Sequence, residues 1–269
     1  MQVAIDVRVC LQNVVGSGRY ALELGRALRR LGVDAELWYA IWRPDPARRE
    51  ELTALLHNLA PEVPSLTSPV PNALLYNARA QAMWRAWPKW APLPNWMPES
   101  VDVYHAVYWP LPLDRRVPMV LTIHDLIPLR HPEWFVAGHL TDLQTIRALA
   151  PRTAHVLTDS EYTRGEVMEL LNCRPECVTT VPLGVDTQQF TPPTAEAVDA
   201  ARRRYGLTRP YVMVLGSIEP RKNLGRVLDA FDLVCQREQL DLDLVLAGAQ
   251  GWGDDVLSGR LARSRPGQV

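Results

Sequence analysis

Residues Val214–Phe231 read VLGSIEPRKNLGRVLDAF, and this stretch decides the fold class. A short apolar run, Tyr211–Leu215, ends at Gly216. Its length and apolar content read as a strand. A polar turn of Glu219, Pro220, Arg221, Lys222 and Asn223 follows, and then an amphipathic helix from Leu224 to Gln236. A strand that hands over to a helix through a short turn is one βα unit. Repetition of that unit predicts a parallel sheet with helices on its faces.

The rhythm recurs along the chain. MQVAIDVRVC (Met1–Cys10), AELWYAIW (Ala35–Trp42), VDVYHAVYW (Val101–Trp109), PMVLTIHDL (Pro118–Leu126), AHVLTDS (Ala154–Ser160) and CVTTVPLGV (Cys177–Val185) read as strands. Gly16–Leu31 reads as a glycine loop and then a helix, and further helices are expected over Ala47–Leu59, Ala73–Trp87, Trp134–Ala150 and Glu161–Leu171, the last capped by Ser160 or Asp159. A short helix near Asp254–Arg263 closes the series. The proline-containing stretch Phe190–Thr194 marks a boundary, giving domains 1–194 and 195–269. The fold class is α/β: a Rossmann-like domain followed by the start of a second.

Bulk properties exclude several classes. The 269 residues carry a net charge of −1, so there is no basic footprint of a nucleic-acid binder. No apolar run is long enough to span a bilayer, and Met1–Leu11 carries Asp6 and Arg8 where a signal peptide would be apolar. Four cysteines in this length fit a reduced, cytoplasmic chain. Cys173 and Cys177 are spaced as C-x3-C but lack the further ligands that a structural zinc site needs, so no metal is expected.

Four features carry chemistry. GSGRY (Gly16–Tyr20) opens a helix, and Gly16, Gly18 and Ala21 satisfy G-x-G-x-x-A. The loop is too long after its strand for a dinucleotide fingerprint, and Asp34 precedes the second strand instead of ending it. Phosphate contact at a helix N-terminus and a plain flexible loop remain as readings. His124 and Asp125 follow an apolar strand, where ligands of open α/β sheets bind. They could contact a sugar hydroxyl, relay a proton or cap the next turn. His105 and His131 read as structural. Arg221 and Lys222 at a helix start form an anion site suited to a diphosphate, or else a solvated turn. Trp84, Trp87 and Trp90, with Arg85 and Lys89 between them, read as a helix face packed on the core or as a membrane-contact stripe.

The set GSGRYALEL, VDVYHAVYWPLPL, TIHDLIPLRHPEWF, VLTDSEYTRGEV, VPLGVD and GSIEPRKNL, in that order, resembles the bacterial family 4 glycosyltransferases of GT-B architecture. The resemblance implies two Rossmann-like domains facing a cleft, with the acceptor on the first and a nucleotide-sugar on the second. It implies retention of anomeric configuration. By position it implies that Gly16 lies near the donor diphosphate, His124 at the donor sugar, and Arg221 and Lys222 on the diphosphate; Gly18 beside Gly16 and Asp125 beside His124 join them as candidates from the residue pattern itself. The family's Glu-x7-Glu motif has no counterpart after GSIEPRKNL, where Glu238 is the last glutamate. The resemblance therefore implies a donor domain cut short and weak or no transfer by this chain.

The expected function is hexosyl transfer, mannosyl or glucosyl, from a nucleotide-diphosphate sugar to a glycan or lipid-linked glycan. Leaving-group charge on the diphosphate would be met by fixed cations without a metal or other cofactor. The expected location is the cytoplasm, with peripheral contact at the inner face of the membrane and no nucleic-acid partner. The alternative is a non-catalytic remnant that binds glycan or a membrane surface. An NAD-dependent oxidoreductase rests on Gly16–Ala21 alone.

Overall fold

The computed structural model describes residues 1–11, 14, 16–40, 45–71, 78–87, 95–107, 113–135, 138–249 and 259. The chain divides into two compact units, Met1–Gly184 and Val185–Val269.

In the first unit the elements are β1 (Gln2–Asp6), α1 (Ser17–Arg30), β2 (Asp34–Tyr39), α2 (Pro46–Leu59), β3 (Ser65–Thr67) and α3 (Ala78–Ala86). They continue as β4 (Val103–Ala106), β5 (Met119–Ile123), α4 (Ile127–Arg130), α5 (Gly138–Leu149), β6 (His155–Thr158), α6 (Glu161–Leu171) and β7 (Val178–Thr180). Among the described residues, these seven strands form one parallel sheet in the order β3-β2-β1-β4-β5-β6-β7. The chain winds outward from β1 to β3, then returns to β1's other side to lay down β4. The β1–β4 junction is therefore the topological switch point, beside which open α/β sheets bind ligands.

Strand alternation sorts the core onto two faces. Val3, Ile5, Val7, Ala35, Leu37 and Tyr39 meet Ala21 and Leu22 of α1 and Leu52 and Leu56 of α2. Ala4, Trp38, Tyr104, Leu121 and Ile123 share the other face with Leu143, Ile146, Val167 and Leu171. Each large side chain fully buried this way contributes about 1.5–3 kcal/mol. The helix starts are locally encoded. Asp45 accepts from the N–H groups of Ala47 and Arg48 with Pro46 next in line, and Ser160 accepts from Thr163 N–H. α1 begins at Gly16, whose φ of 48° lies in the left-handed region that glycine adopts without strain.

Several boundaries differ from expectation. β7 stops at Thr180, and Val181 adds one last backbone bond to Thr158 O before the chain runs exposed through Thr194. The units accordingly part after Gly184, earlier than the expected boundary at Thr194. β3 was not foreseen, because three residues between Pro64 and Pro69 carry no usable periodicity. The helix expected from Trp134 starts at Gly138, after a 3-10 turn over Pro132–Trp134. The expected helix near Asp254–Arg263 and the position of Trp90 lie outside the described residues.

The second unit holds α7 (Ala195–Tyr205), β8 (Tyr211–Leu215), α8 (Leu224–Arg237) and β9 (Asp243–Ala247). β8 and β9 pair in parallel from Tyr211↔Asp243 to Leu215↔Ala247. Leu224 and Leu228 of α8 pack with Leu244, against Val214, Phe231 and Leu246. No described helix is long and apolar enough to cross a membrane.

Candidate active site

The carboxyl ends of β4, β5 and β6 bring His105, Thr122, His124 and Asp159 to one end of the sheet, beside the switch point. His124 directly follows β5 and Asp159 directly follows β6, and the pairing Ile123↔Thr158 brings them side by side. His124 Nδ1 lies 2.7 Å from Asp159 Oδ2. The carbonyl of His124 accepts from Thr163 Oγ1–H over 3.2 Å, so the first turn of α6 also holds the main chain. Tyr20 of α1 packs edge-on against the imidazole, with ring centroids 4.9 Å apart. His124 Nε2 is buried and has no hydrogen-bond partner among the described residues.

Behind this pair runs a polar chain. Tyr20 Oη lies 3.2 Å from Thr122 Oγ1, which lies 2.7 Å from His105 Nε2. Burial, with His124 close by, pushes the His105 imidazole down to about 4, so it is neutral at physiological pH. Burial, with the Asp159 charge nearby, raises the Tyr20 phenol above its ordinary value and keeps its proton on. His105 thus pins Thr122 and Tyr20, in keeping with the structural role read from the sequence.

On the sheet's other face, Asp6 ends β1 in a second polar cluster. Its carboxylate accepts from Arg8 Nε and Nη2, at 3.0 and 2.6 Å, and from Tyr104 Oη–H at 2.7 Å. The Arg8 guanidinium lies over the Trp38 ring, 5.7 Å from its centroid. Burial and the Asp6 charge raise the Tyr104 phenol well above its ordinary value.

The remaining expected residues are distributed as follows. Asp125 is exposed, and its Oδ1 accepts from Ile127 N–H, so it caps the turn into α4, while the partner of His124 is Asp159. Gly16 starts α1 and is exposed, whereas Gly18 is buried and its carbonyl accepts from the Cys10 thiol. In the second unit Arg221 and Lys222 sit on a 3-10 turn just before α8. They are not equivalent. Arg221 Nη2 is 2.7 Å from Oε1 of buried Glu219, which also accepts from Ser217 Oγ–H, while Lys222 is exposed. Trp84 and Trp87 are half-buried and tilted against each other at 5.2 Å, and Arg85 donates to Thr145 of α5. That is how a helix face packs on its own domain.

Sequence reasoning missed Asp159 as a partner of His124, Tyr20 as its neighbour, and Asp6 and Thr122. The available signal was position: Asp6 and Thr122 lie at the ends of apolar strands and Asp159 just beyond one.

A strand order that reverses at β1 places the oriented His124 beside the crevice where open α/β sheets bind ligands. The model of Glycosyltransferase Family 4 matches residues 14–189, and the chain belongs to that family. It is 27% identical over 158 residues to the O-antigen chain mannosyltransferase B of Escherichia coli, a match covering 58% of this chain and 41% of that protein. It is 31% identical over 153 residues to the serotype-specific mannosyltransferase WbdA of Escherichia coli, covering 52% of this chain and 18% of that protein. The chain thus matches less than half the length of either relative. The solved structure of Anabaena HepE in complex with UDP and glucose superposes with a TM-score of 0.62 at 14% identity. That match covers 98% of this chain and 65% of HepE, and it establishes the fold as the α/β GT-B type expected from the sequence.

Proposed function

We propose that the protein transfers a hexosyl unit, mannosyl or glucosyl, from a nucleotide-diphosphate sugar to a glycan or lipid-linked glycan, with retention. The observation that carries this is His124: an imidazole at the carboxyl end of β5, held by Asp159 and Tyr20, with Nε2 buried and unpartnered among the described residues. Support for a mannosyl donor comes from the names of the two Escherichia coli relatives, and for a glucosyl donor from the ligands of HepE.

In this reading His124 contacts the donor sugar as positive charge builds on its anomeric carbon, and Asp125 shapes the adjoining turn. Gly16 and Gly18 at the start of α1 admit the donor phosphates to bare backbone. Lys222 and Arg221 meet the diphosphate as its negative charge grows, in place of a metal. Because Arg221 is already paired with Glu219, Lys222 carries the larger share of that attraction. The enzyme works in the cytoplasm, at the inner membrane face when its acceptor is lipid-linked.

The test is hexose transfer by the full chain from a panel of nucleotide-diphosphate hexoses, with the product anomer read by NMR. His124→Ala is expected to lower turnover by about 100-fold or more. Calorimetric binding of UDP or another nucleoside diphosphate is expected to weaken about tenfold in Lys222→Ala. A chain that transfers hexose from no donor and binds no nucleoside diphosphate would refute the reading.

A further inference from the structure

We infer that Asp159 is a positioning residue that fixes His124 as the Nδ1–H tautomer and so presents Nε2 as a hydrogen-bond acceptor. An ionised carboxylate only accepts hydrogen bonds, so the 2.7 Å contact places a proton on Nδ1, and in the one-proton form of the ring it is the only proton. The other nitrogen then carries a lone pair and no proton. Nε2 is buried and unpartnered among the described residues, which leaves its acceptor capacity unspent. Such an atom is complementary to an O–H donor. It is mismatched to a phosphate oxygen, which would require Nε2–H. A ligand group that meets this atom is therefore a hydrogen-bond donor, and in a sugar the donor is a hydroxyl.

The surroundings hold the ring in that pose from three sides. Thr163 Oγ1–H binds the His124 carbonyl, and Thr163 is itself fixed by the Ser160 cap of α6. Asp159 precedes that cap, so one turn of chain secures both the main chain and the imidazole of His124. Tyr20 closes the ring's flank, and its phenol is tied through Thr122 to buried His105. No group near the ring other than Asp159 offers Nδ1 an acceptor in the described contacts. The carboxylate alone thus selects the tautomer, while Tyr20 restrains only the ring's orientation.

Assigning the hydroxyl to a hexose rests on the glycosyl-transfer reading; the tautomer does not. The experiment is long-range 1H–15N correlation NMR on the full chain with 15N-histidine, at about pH 8 where a free imidazole is neutral. The His124 signals are assigned by their loss in His124→Gln. In the wild type they are expected in the Nδ1–H pattern. Asp159→Ala and Asp159→Leu are expected to move them toward the Nε2–H pattern, and Tyr20→Phe to leave them in place. A wild-type Nε2–H pattern, or no change on losing the carboxylate, overturns the proposal. Should both Asp159 variants fail to fold, the wild-type pattern decides alone: Nδ1–H supports the proposal and Nε2–H overturns it. Absence of both hexose transfer and nucleotide binding with an Nδ1–H pattern would sink the functional reading and leave this one standing. Transfer by a protein in the Nε2–H form would sink this one alone.

Discussion

His105 and His124 lie one strand apart and have been given opposite tasks by burial. His105 has been shifted from 6.5 to about 4 because the sheet interior penalises its charged form. The unfolded chain takes up a proton below about pH 6.5, whereas the folded one resists until about pH 4. This group's contribution to stability is thus complete above the unfolded value and declines as pH falls across that window. The whole effect is on the order of 3 kcal/mol. Denaturant unfolding of the wild type and His105→Gln at about pH 7.5 and about pH 4.5 checks it. The wild type should lose more stability than the variant between those values; equal losses would mean His105 does not titrate as described. At this scale the sequence made His124 legible because it follows an apolar strand. Its partner was not legible. Asp159 is 35 residues away, and only the pairing of β5 with β6 makes the two neighbours. Asp125, adjacent in sequence, was the natural candidate, but its carboxylate caps the turn at Ile127.

Two further predictions belong to elements. Asp114 fastens the chain on either side of β4. One carboxylate oxygen accepts from Trp96 and Met97 N–H at 2.6 and 2.9 Å, the other from Arg116 and Val117 N–H at 2.8 and 3.1 Å. Burial opposes the charge, but these four backbone donors hold the carboxyl below its ordinary 3.8. Its stabilisation is therefore present above that value and lost as acid carries the pH through the lower folded one. Asp114→Ala strands four N–H groups and should cost about 3 kcal/mol or more by denaturant titration. Asp114→Ala unfolding within about 1 kcal/mol of wild type would refute the strap. Gly25 tests how α1 seats on the sheet. A Cβ there would lie 3.1 Å from Leu37 Cδ2, 3.4 Å from Val63 Cγ1 and 3.5 Å from Ile5 Cδ1. Gly25→Val adds two methyls beyond that and should destabilise by about 1–3 kcal/mol through overpacking, read as a lowered Tm. The helices with side-chain caps, α2 behind Asp45 and α6 behind Ser160, were legible to within a residue or two. β3 and the end of β7 were not, because strand pairing and not local pattern decides where such short pieces stop.

For the whole molecule, the βα rhythm was enough to foresee a parallel sheet, and the motif order was enough to foresee the family. Neither reveals how unevenly the two units are consolidated. In the first, β1, β4 and β5 each have a strand on both sides and apolar cores on both faces. In the second, among the described residues, β8 and β9 pair only with each other, and the buried apolar side chains are Leu224, Leu228 and Leu244. Val212, Met213 and Leu215 of β8 remain 47%, 54% and 78% exposed. Opening free energy scales with the apolar contacts and paired neighbours that must be given up. The amides of β8 and β9 are therefore expected to exchange about tenfold or more faster than those of β1, β4 and β5 in native-state hydrogen exchange on the full chain. Val181–Thr194, exposed throughout, should be the first segment cut in limited proteolysis. A saturating nucleoside diphosphate adds a second arm: binding through Lys222 and Arg221 should slow exchange in β8 and α8 in proportion to occupancy. Equal protection of the two sheets without ligand would show that the second unit is held by more than its own core. Slowing confined to the first unit would remove the diphosphate from the Arg221–Lys222 turn.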